Sequence, residues 1–154
     1  MSDNTAEGKM ILLLEDNDNV VYTIINIAQR LGFEYLQTQD FLQADYWVER
    51  TPKLNSFAYL IVDLSIPCKD EDCFSEDERK ELDGLSDSVK LSGWIWLKRL
   101  CENYPEAKKK IIVLSAFLSD LPDSERSIFE NDIIFFDKAR PETVSELDKL
   151  LSQN

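Results

Sequence analysis

The chain has 154 residues, with 30 acidic and 17 basic side chains, a formal net charge of −13 and no histidine. The length is typical of one domain, and the absence of histidine excludes Ser-His-Asp and Cys-His triads and histidine zinc sites. The negative charge argues against nucleic acid as a partner, because binding there requires cations that replace the counterions of the phosphates.

Five short apolar runs predict the strands of a sheet. They are mostly continuous rather than alternating, which is typical of parallel strands that are covered on both faces. The weakest of them is the run at 34–38. The predicted strands are residues 9–14, 34–38, 57–62, 110–115 and 132–136.

A helix is predicted after each strand. Residues 20–31 have a broad apolar face, with Asn17 or Asp18 as the amino-terminal cap and Gly32 at the end. The helix at 120–130 is expected to be short or irregular, because Pro122 disturbs its first turn. The remaining predicted helices are residues 41–49, 92–101 and 141–151.

This alternation predicts an α/β fold, a doubly wound five-stranded parallel sheet with flanking helices on both faces. No internal repeat or interdomain linker interrupts it. We therefore expect a single domain over residues 1–154, with residues 1–8 as a flexible amino-terminal segment.

Residues 68–91 form an acidic insertion between the third strand and the helix at 92–101, with nine acids and four bases. Ser75 and Glu78 have capping-box spacing, which predicts a short helix over 76–82 that ends at Gly84. The simpler interpretation of the insertion is a solvated, partly mobile excursion, and the alternative is a partner-binding segment.

Three cysteines, Cys68, Cys73 and Cys101, are too few for a disulfide framework. Reduced thiols in the cytoplasm are expected, with a Cys68–Cys73 pair as the alternative. The apolar run at 10–14 is far too short to cross a membrane, so no membrane partner is expected.

Chemistry-bearing residues follow four of the predicted strands. Because ligands of parallel α/β sheets bind at the carboxyl ends of the strands, these side chains are expected to converge. Carboxylates suit Mg²⁺, and a lysine with a hydroxyl suits a phosphoryl group. Each residue alone has an ordinary structural explanation, and the set carries the prediction. Its members are Glu15, Asp16, Asp63, Ser115 and Lys138.

These residues and their order resemble a response-regulator receiver domain of two-component signalling. The resemblance rests on Glu15-Asp16 after the first strand, Asp63 with Pro67 four residues later, Ser115-Ala116, and Lys138 after Phe135-Phe136-Asp137. It covers about residues 10–151 and implies the flavodoxin-like receiver fold. One departure is Ala139, where the family commonly has a proline in a cis peptide; a trans peptide is expected here.

The resemblance also implies roles for individual residues. Asp63 would be the phosphoacceptor, with Ser115 and Lys138 contacting the phosphoryl group. Glu15, Asp16, Asp63 and the backbone carbonyl of Ser65 would hold Mg²⁺. Ser115 and Phe135 would act as the conformational switch, although Phe135 also fits a plain core position.

The implied partners are a histidine kinase or histidine phosphotransfer protein, an unidentified downstream protein and, as an open alternative, a second copy of this chain in a homodimer. Such a protein is not a turnover enzyme, because it catalyses only its own phosphorylation and dephosphorylation. A degenerate receiver that binds proteins independently of phosphate is the alternative function. A phosphohydrolase of the haloacid-dehalogenase type is disfavoured, since Ser65 stands where a second acid is required.

Overall fold

The computed structural model describes residues 9–50, 56–66, 73–129 and 131–153. Its strands are β1 Met10–Leu14, β2 Glu34–Thr38, β3 Phe57–Val62, β4 Ile111–Ser115 and β5 Ile134–Asp137. They form one five-stranded sheet in the order β2-β1-β3-β4-β5. Every neighbouring pair is parallel, as the continuous apolar runs predicted.

The helices flank this sheet. They are α1 Asp18–Arg30, α2 Phe41–Arg50, α3 Glu76–Leu85, α4 Ser92–Asn103, α5 Asp123–Arg126 and α6 Thr143–Ser152, with 3₁₀ turns at Pro105–Lys110, Leu118–Asp120 and Ser127–Phe129. The Asn17 side chain accepts hydrogen bonds from the backbone amides of Asn19 and Val20 and so caps α1. Gly32 follows α1 with a φ of 84°, a conformation that favours glycine.

Two apolar cores lie on opposite faces of the sheet, because successive side chains of a strand point to opposite sides. One core contains Leu12, Leu60 and Trp94, and the other contains Ile11, Ile61 and Leu147. This arrangement confirms the predicted doubly wound α/β architecture.

Two helices differ from their predicted bounds by more than two residues. The helix expected at 120–130 is broken into α5 and two 3₁₀ turns, in agreement with the expected irregularity. The helix α3 runs past Gly84 to Leu85, so Gly84 does not end it. A single glycine inside a helix costs only about 1 kcal/mol, and contacts elsewhere in the helix outweigh this cost.

Residues 73–91, here named the acidic segment, pack against the domain, whereas the simpler interpretation of the sequence was a solvated excursion. The predicted capping box is present, with the Ser75 hydroxyl accepting from the Glu78 amide and the Glu78 carboxylate accepting from the Ser75 amide. Phe74, Leu82 and Leu91 are buried in the same core as α4. The acidic segment is therefore attached to the domain by an apolar face of its own.

The expectations for residues 1–8, for Pro67 and for Cys68 fall outside the described residues. Cys101 is buried, and this burial raises the pKa of its thiol to about 11. None of the helices in the described ranges is both long and apolar enough to cross a membrane.

Candidate functional site

The carboxyl ends of β1 and β3 place three acids at one edge of the sheet. Asp63 follows β3 directly, and its backbone amide donates to the carbonyl oxygen of Leu14 at 3.1 Å. Glu15 follows β1, and its amide donates to the carbonyl of Thr38 at 3.2 Å. The sheet order reverses between β1 and β3, which is where ligands bind in open α/β sheets.

The Glu15 carboxylate is held by the backbone that follows it. Its side chain is only 2% exposed, and Oε2 accepts hydrogen bonds from the amides of Asp16 at 3.0 Å and Asn17 at 3.1 Å. Because Asn17 also caps α1, the start of this helix fixes the direction of Glu15. The second oxygen, Oε1, remains directed at Lys138.

Glu15, Asp16 and Asp63 form an acidic cluster. One carboxylate oxygen from each residue lies within 4.8 Å of the others, and Asp16 is exposed whereas Glu15 and Asp63 are buried. Hard oxygen donors at such a separation suit a divalent cation such as Mg²⁺, which retains several waters. The exposed side of the cluster, at Asp16, leaves room for those waters.

Lys138 bridges the two buried acids. Its Nζ lies 2.6 Å from Glu15 Oε1 and 2.9 Å from Asp63 Oδ2. The backbone amide of Lys138 donates to the carbonyl of Ser115 at 3.1 Å, which ties the lysine to the end of β4. The peptide between Lys138 and Ala139 is trans, as expected without a proline.

Burial controls the protonation of this cluster. Desolvation raises the pKa of Glu15 to about 7, and the charge of Asp63 adds to the shift, while the hydrogen bond with Lys138 opposes it. For Lys138, desolvation alone would lower the pKa, but the hydrogen bond to Glu15 and the charge of Asp63 raise it. The lysine therefore stays charged between its two carboxylate partners.

Ser115 is the last residue of β4, and Phe135 lies within the neighbouring strand β5. Ser115 is fully buried, and its Oγ accepts a hydrogen bond from the amide of Phe117 at 3.1 Å. The half-buried Phe135 ring lies 6.2 Å from the Trp94 ring, and the guanidinium carbon of Arg126 lies 4.7 Å from its centroid. Phe135 thus contacts α4 and α5 rather than the acidic cluster.

Ser65 belongs to the loop after β3, and its amide lies 3.4 Å from Asp63 Oδ1 as a long hydrogen-bond donor. The sequence predictions missed two residues that contact this loop, Ser92 and Gly93. The available signal was a Ser-Gly pair at a predicted helix start, where glycine is unfavourable unless close packing requires it.

Comparisons with known proteins agree with this architecture. No family model matches the sequence, and no curated protein matches it either. The structure, in contrast, is similar to several solved receiver domains at sequence identities below 20%. Such identities show a shared fold, which here is the fold of response-regulator receivers.

Three solved structures illustrate the similarity. The Mn²⁺-bound response regulator Rcp1 has a TM-score of 0.59 at 17% identity, over 94% of this chain and 90% of that one. The Mg²⁺-bound receiver domain of the sensor histidine kinase PA1611 from Pseudomonas aeruginosa has a TM-score of 0.57 at 19% identity, over 95% of this chain and 96% of that one. The phosphorylated cyanobacterial phytochrome response regulator RcpA has a TM-score of 0.56 at 16% identity, over 94% of this chain and 89% of that one.

Proposed function

We propose that this protein is a phosphoacceptor response regulator, which takes a phosphoryl group from a phosphohistidine onto Asp63. The observation that carries the proposal is Lys138 bridging the buried carboxylates of Glu15 and Asp63 at the carboxyl edge of a receiver fold. A lysine held between two buried acids is costly as a purely structural device. It is suited to a site that receives a dianion.

The residues present fit a Mg²⁺ ion, because the donors of the acidic cluster are all hard oxygens within 4.8 Å of one another. We propose that Asp16, Asp63 and the Ser65 backbone carbonyl hold the ion, with Glu15 reaching it through water. When bound, Mg²⁺ would supply positive charge that offsets repulsion between Asp63 and an incoming phosphoryl group.

In the proposed reaction, a carboxylate oxygen of Asp63 attacks the phosphorus in line. A new O–P bond forms while the P–N bond to the donor histidine breaks, and the donor imidazole leaves with the electron pair. Lys138 exchanges part of its contact with Asp63 for a phosphoryl oxygen. The Ser115 hydroxyl, whose oxygen already accepts from Phe117, is free to donate its proton to a second phosphoryl oxygen.

The signal would pass from Ser115 to the segment that follows it. Movement of Ser115 toward the phosphoryl group would carry Phe117, which is hydrogen-bonded to it, and bias the position of Phe135. Phe135 has no hydroxyl, so its contribution would be steric, through its contacts with Trp94 and Arg126.

We also propose a cellular location and binding partners for the protein. This receiver domain would act in the cytoplasm and would not be a turnover enzyme. Its partners would be a histidine kinase or phosphotransfer protein and a downstream protein that distinguishes the two states. Phosphate-independent protein binding by a degenerate receiver remains the competing function.

A labelling experiment tests the proposal. The purified protein is incubated with Mg²⁺ and a small acyl-phosphate donor, and its intact mass is measured. We expect one phosphoryl adduct on the wild type and on Asp83→Asn, a matched control in the acidic segment, and none on Asp63→Asn. Equal labelling of Asp63→Asn, or no labelling of the wild type, would contradict the proposal. Continuous release of phosphate would favour a hydrolase instead.

A further inference from the structure

The Ser92 hydroxyl holds the loop after β3 through the backbone amide and the backbone carbonyl of one loop residue, Ile66. Its Oγ donates to the carbonyl of Ile66 at 2.6 Å and accepts from the amide of Ile66 at 3.1 Å. Ser92 is 2% exposed, so water does not compete for these hydrogen bonds. The hydroxyl does not cap α4, since no side-chain cap is formed at the start of this helix.

Gly93 contacts the same loop from the next position. Its amide donates to the carbonyl of Leu64 at 2.7 Å. A Cβ at this position would lie 1.9 Å from the backbone oxygen of Asp63 and 3.0 Å from that of Leu64. The start of α4 is therefore packed directly against the backbone of the loop, and only glycine allows this approach.

These contacts fall on both sides of Ser65. Gly93 holds Leu64 and Ser92 holds Ile66, while the residue between them carries the carbonyl that we assign to the metal. The Ser65 carbonyl and the Ile66 amide belong to one planar peptide, so the hydrogen bond from the Ile66 amide to Ser92 Oγ restrains the direction of that carbonyl directly. Ile66 and Ser92 are 26 positions apart in the chain, so these hydrogen bonds join the loop after β3 to the start of α4 across that separation.

We propose that Ser92 is a positioning residue for the metal site: it fixes the Ile66 peptide, and thereby the direction of the Ser65 carbonyl, before any ion binds. The proposal rests on the proposed function, because it requires Mg²⁺ at the acidic cluster. Groups that orient the ligands of a metal typically change its affinity by 10–100-fold when they are removed.

The test compares Mg²⁺ affinity across matched variants by calorimetric titration. We expect Ser92→Ala to weaken Mg²⁺ binding by about tenfold, and Ser92→Thr, which keeps the hydroxyl, to restore most of the affinity. The control is Ile27→Val, which removes one buried methyl from the core on the opposite face of the sheet. This control is expected to bind Mg²⁺ as the wild type does, although it also loses some stability.

A second measurement does not depend on activity or on metal. In the metal-free wild type, the Ile66 amide is expected to exchange its hydrogen slowly, and in Ser92→Ala it is expected to exchange faster. If Ser92→Ala does not fold, slow exchange of Ile66 in the wild type still supports the proposal, and fast exchange overturns it.

The outcomes separate this proposal from the function on which it rests. Unchanged Mg²⁺ affinity in Ser92→Ala, or an equal loss in Ile27→Val, would overturn the role of Ser92 and leave the phosphoacceptor function intact. If the wild type neither binds Mg²⁺ nor accepts a phosphoryl group, both the function and the positioning role are wrong.

Discussion

Two lysines of this protein each bridge two carboxylates, in very different surroundings. Lys138 joins Glu15 and Asp63, here named the site bridge, and Lys98 joins Glu81 and Glu125, here named the segment bridge. The lysines are similarly exposed, at 17% and 21%. The acids differ in exposure. In the site bridge the side chains of Glu15 and Asp63 are 2% and 5% exposed. In the segment bridge those of Glu81 and Glu125 are 42% and 22% exposed.

The burial of the acids determines what each bridge does. In the site bridge, desolvation raises the pKa of Glu15 to about 7, so its negative charge is held at a cost. In the segment bridge, burial would raise the pKa of Glu125, but hydrogen bonds from Lys98 and from the Trp94 indole outweigh it and lower the pKa. The site bridge is suited to exchanging partners, and the segment bridge to joining α3, α4 and α5.

The largest expected effect comes from breaking the site bridge. Lys138→Met leaves Glu15 and Asp63 without their shared cation and removes a contact for the phosphoryl group. We expect phosphoryl labelling to slow by at least about 100-fold, the usual loss when a charge-stabilising donor is removed. The measurement is the rate of adduct formation by intact mass. Lys98→Met is the matched control, and a similar loss in that variant would contradict the distinction between the two bridges.

The next effect concerns the attachment of the acidic segment. Leu82 is 6% exposed and packs in the core shared with α4. We expect Leu82→Ala to lower the free energy of unfolding by about 2–3 kcal/mol, since it removes buried methyl groups and leaves a cavity. Urea denaturation measures the change. A loss no larger than that of an exposed control, Leu42→Ala, would show that the acidic segment does not pack against the domain.

The site could be predicted from the sequence because its residues lie at the carboxyl ends of strands. Glu15, Asp63 and Ser115 need only the correct strand bounds to be placed at one edge of a parallel sheet. The pairing of Lys138 with both acids at once was not predictable, because it depends on where β5 ends relative to β1 and β3.

The acidic segment was predicted less well for a physical reason. Its acids dominate the sequence, whereas its attachment depends on a few apolar residues and on partners distant in the chain. Arg99 pairs with Glu78 and with Asp45 of α2, and its Nη1 donates to the carbonyl of Cys73. Nothing in the spacing of these residues indicates that they meet. Ser92 and Gly93 offered a signal as a Ser-Gly pair at a predicted helix start, but their partners in the loop after β3 are distant in the chain.

A smaller effect is the pH dependence of stability that Glu15 imposes. Its folded-state pKa of about 7 lies above the ordinary value of 4.5, so the folded protein binds a proton that the unfolded chain has released. The stabilisation is present below the unfolded pKa and is lost as the pH rises through about 7.

The pH dependence is tested by comparing the free energies of unfolding of the wild type and Glu15→Gln in metal-free buffer. Between about pH 5.5 and 7.5, we expect the wild type to lose about 1–2 kcal/mol of unfolding free energy relative to the variant. Urea denaturation at several pH values gives the difference. A constant difference between wild type and variant across this range would show that Glu15 has an ordinary pKa.

The smallest expected effect is the coupling within the segment bridge. A double-mutant cycle on Lys98 and Glu81 is expected to give an interaction energy below about 1 kcal/mol, because Glu81 is largely solvated. The same cycle on Lys98 and the less exposed Glu125 is expected to give a larger value. Equal values in the two cycles would mean that burial does not set the strength of these pairs.

Borohydride reduction of the labelled protein identifies the residue that carries the phosphoryl group, which we propose to be Asp63. An acyl phosphate is reduced at its carbonyl carbon, so tandem mass spectrometry locates the modified residue. We expect reduction at residue 63 alone, after labelling in Mg²⁺ and not after labelling in EDTA. Reduction at another residue, or equal labelling in EDTA, would contradict it.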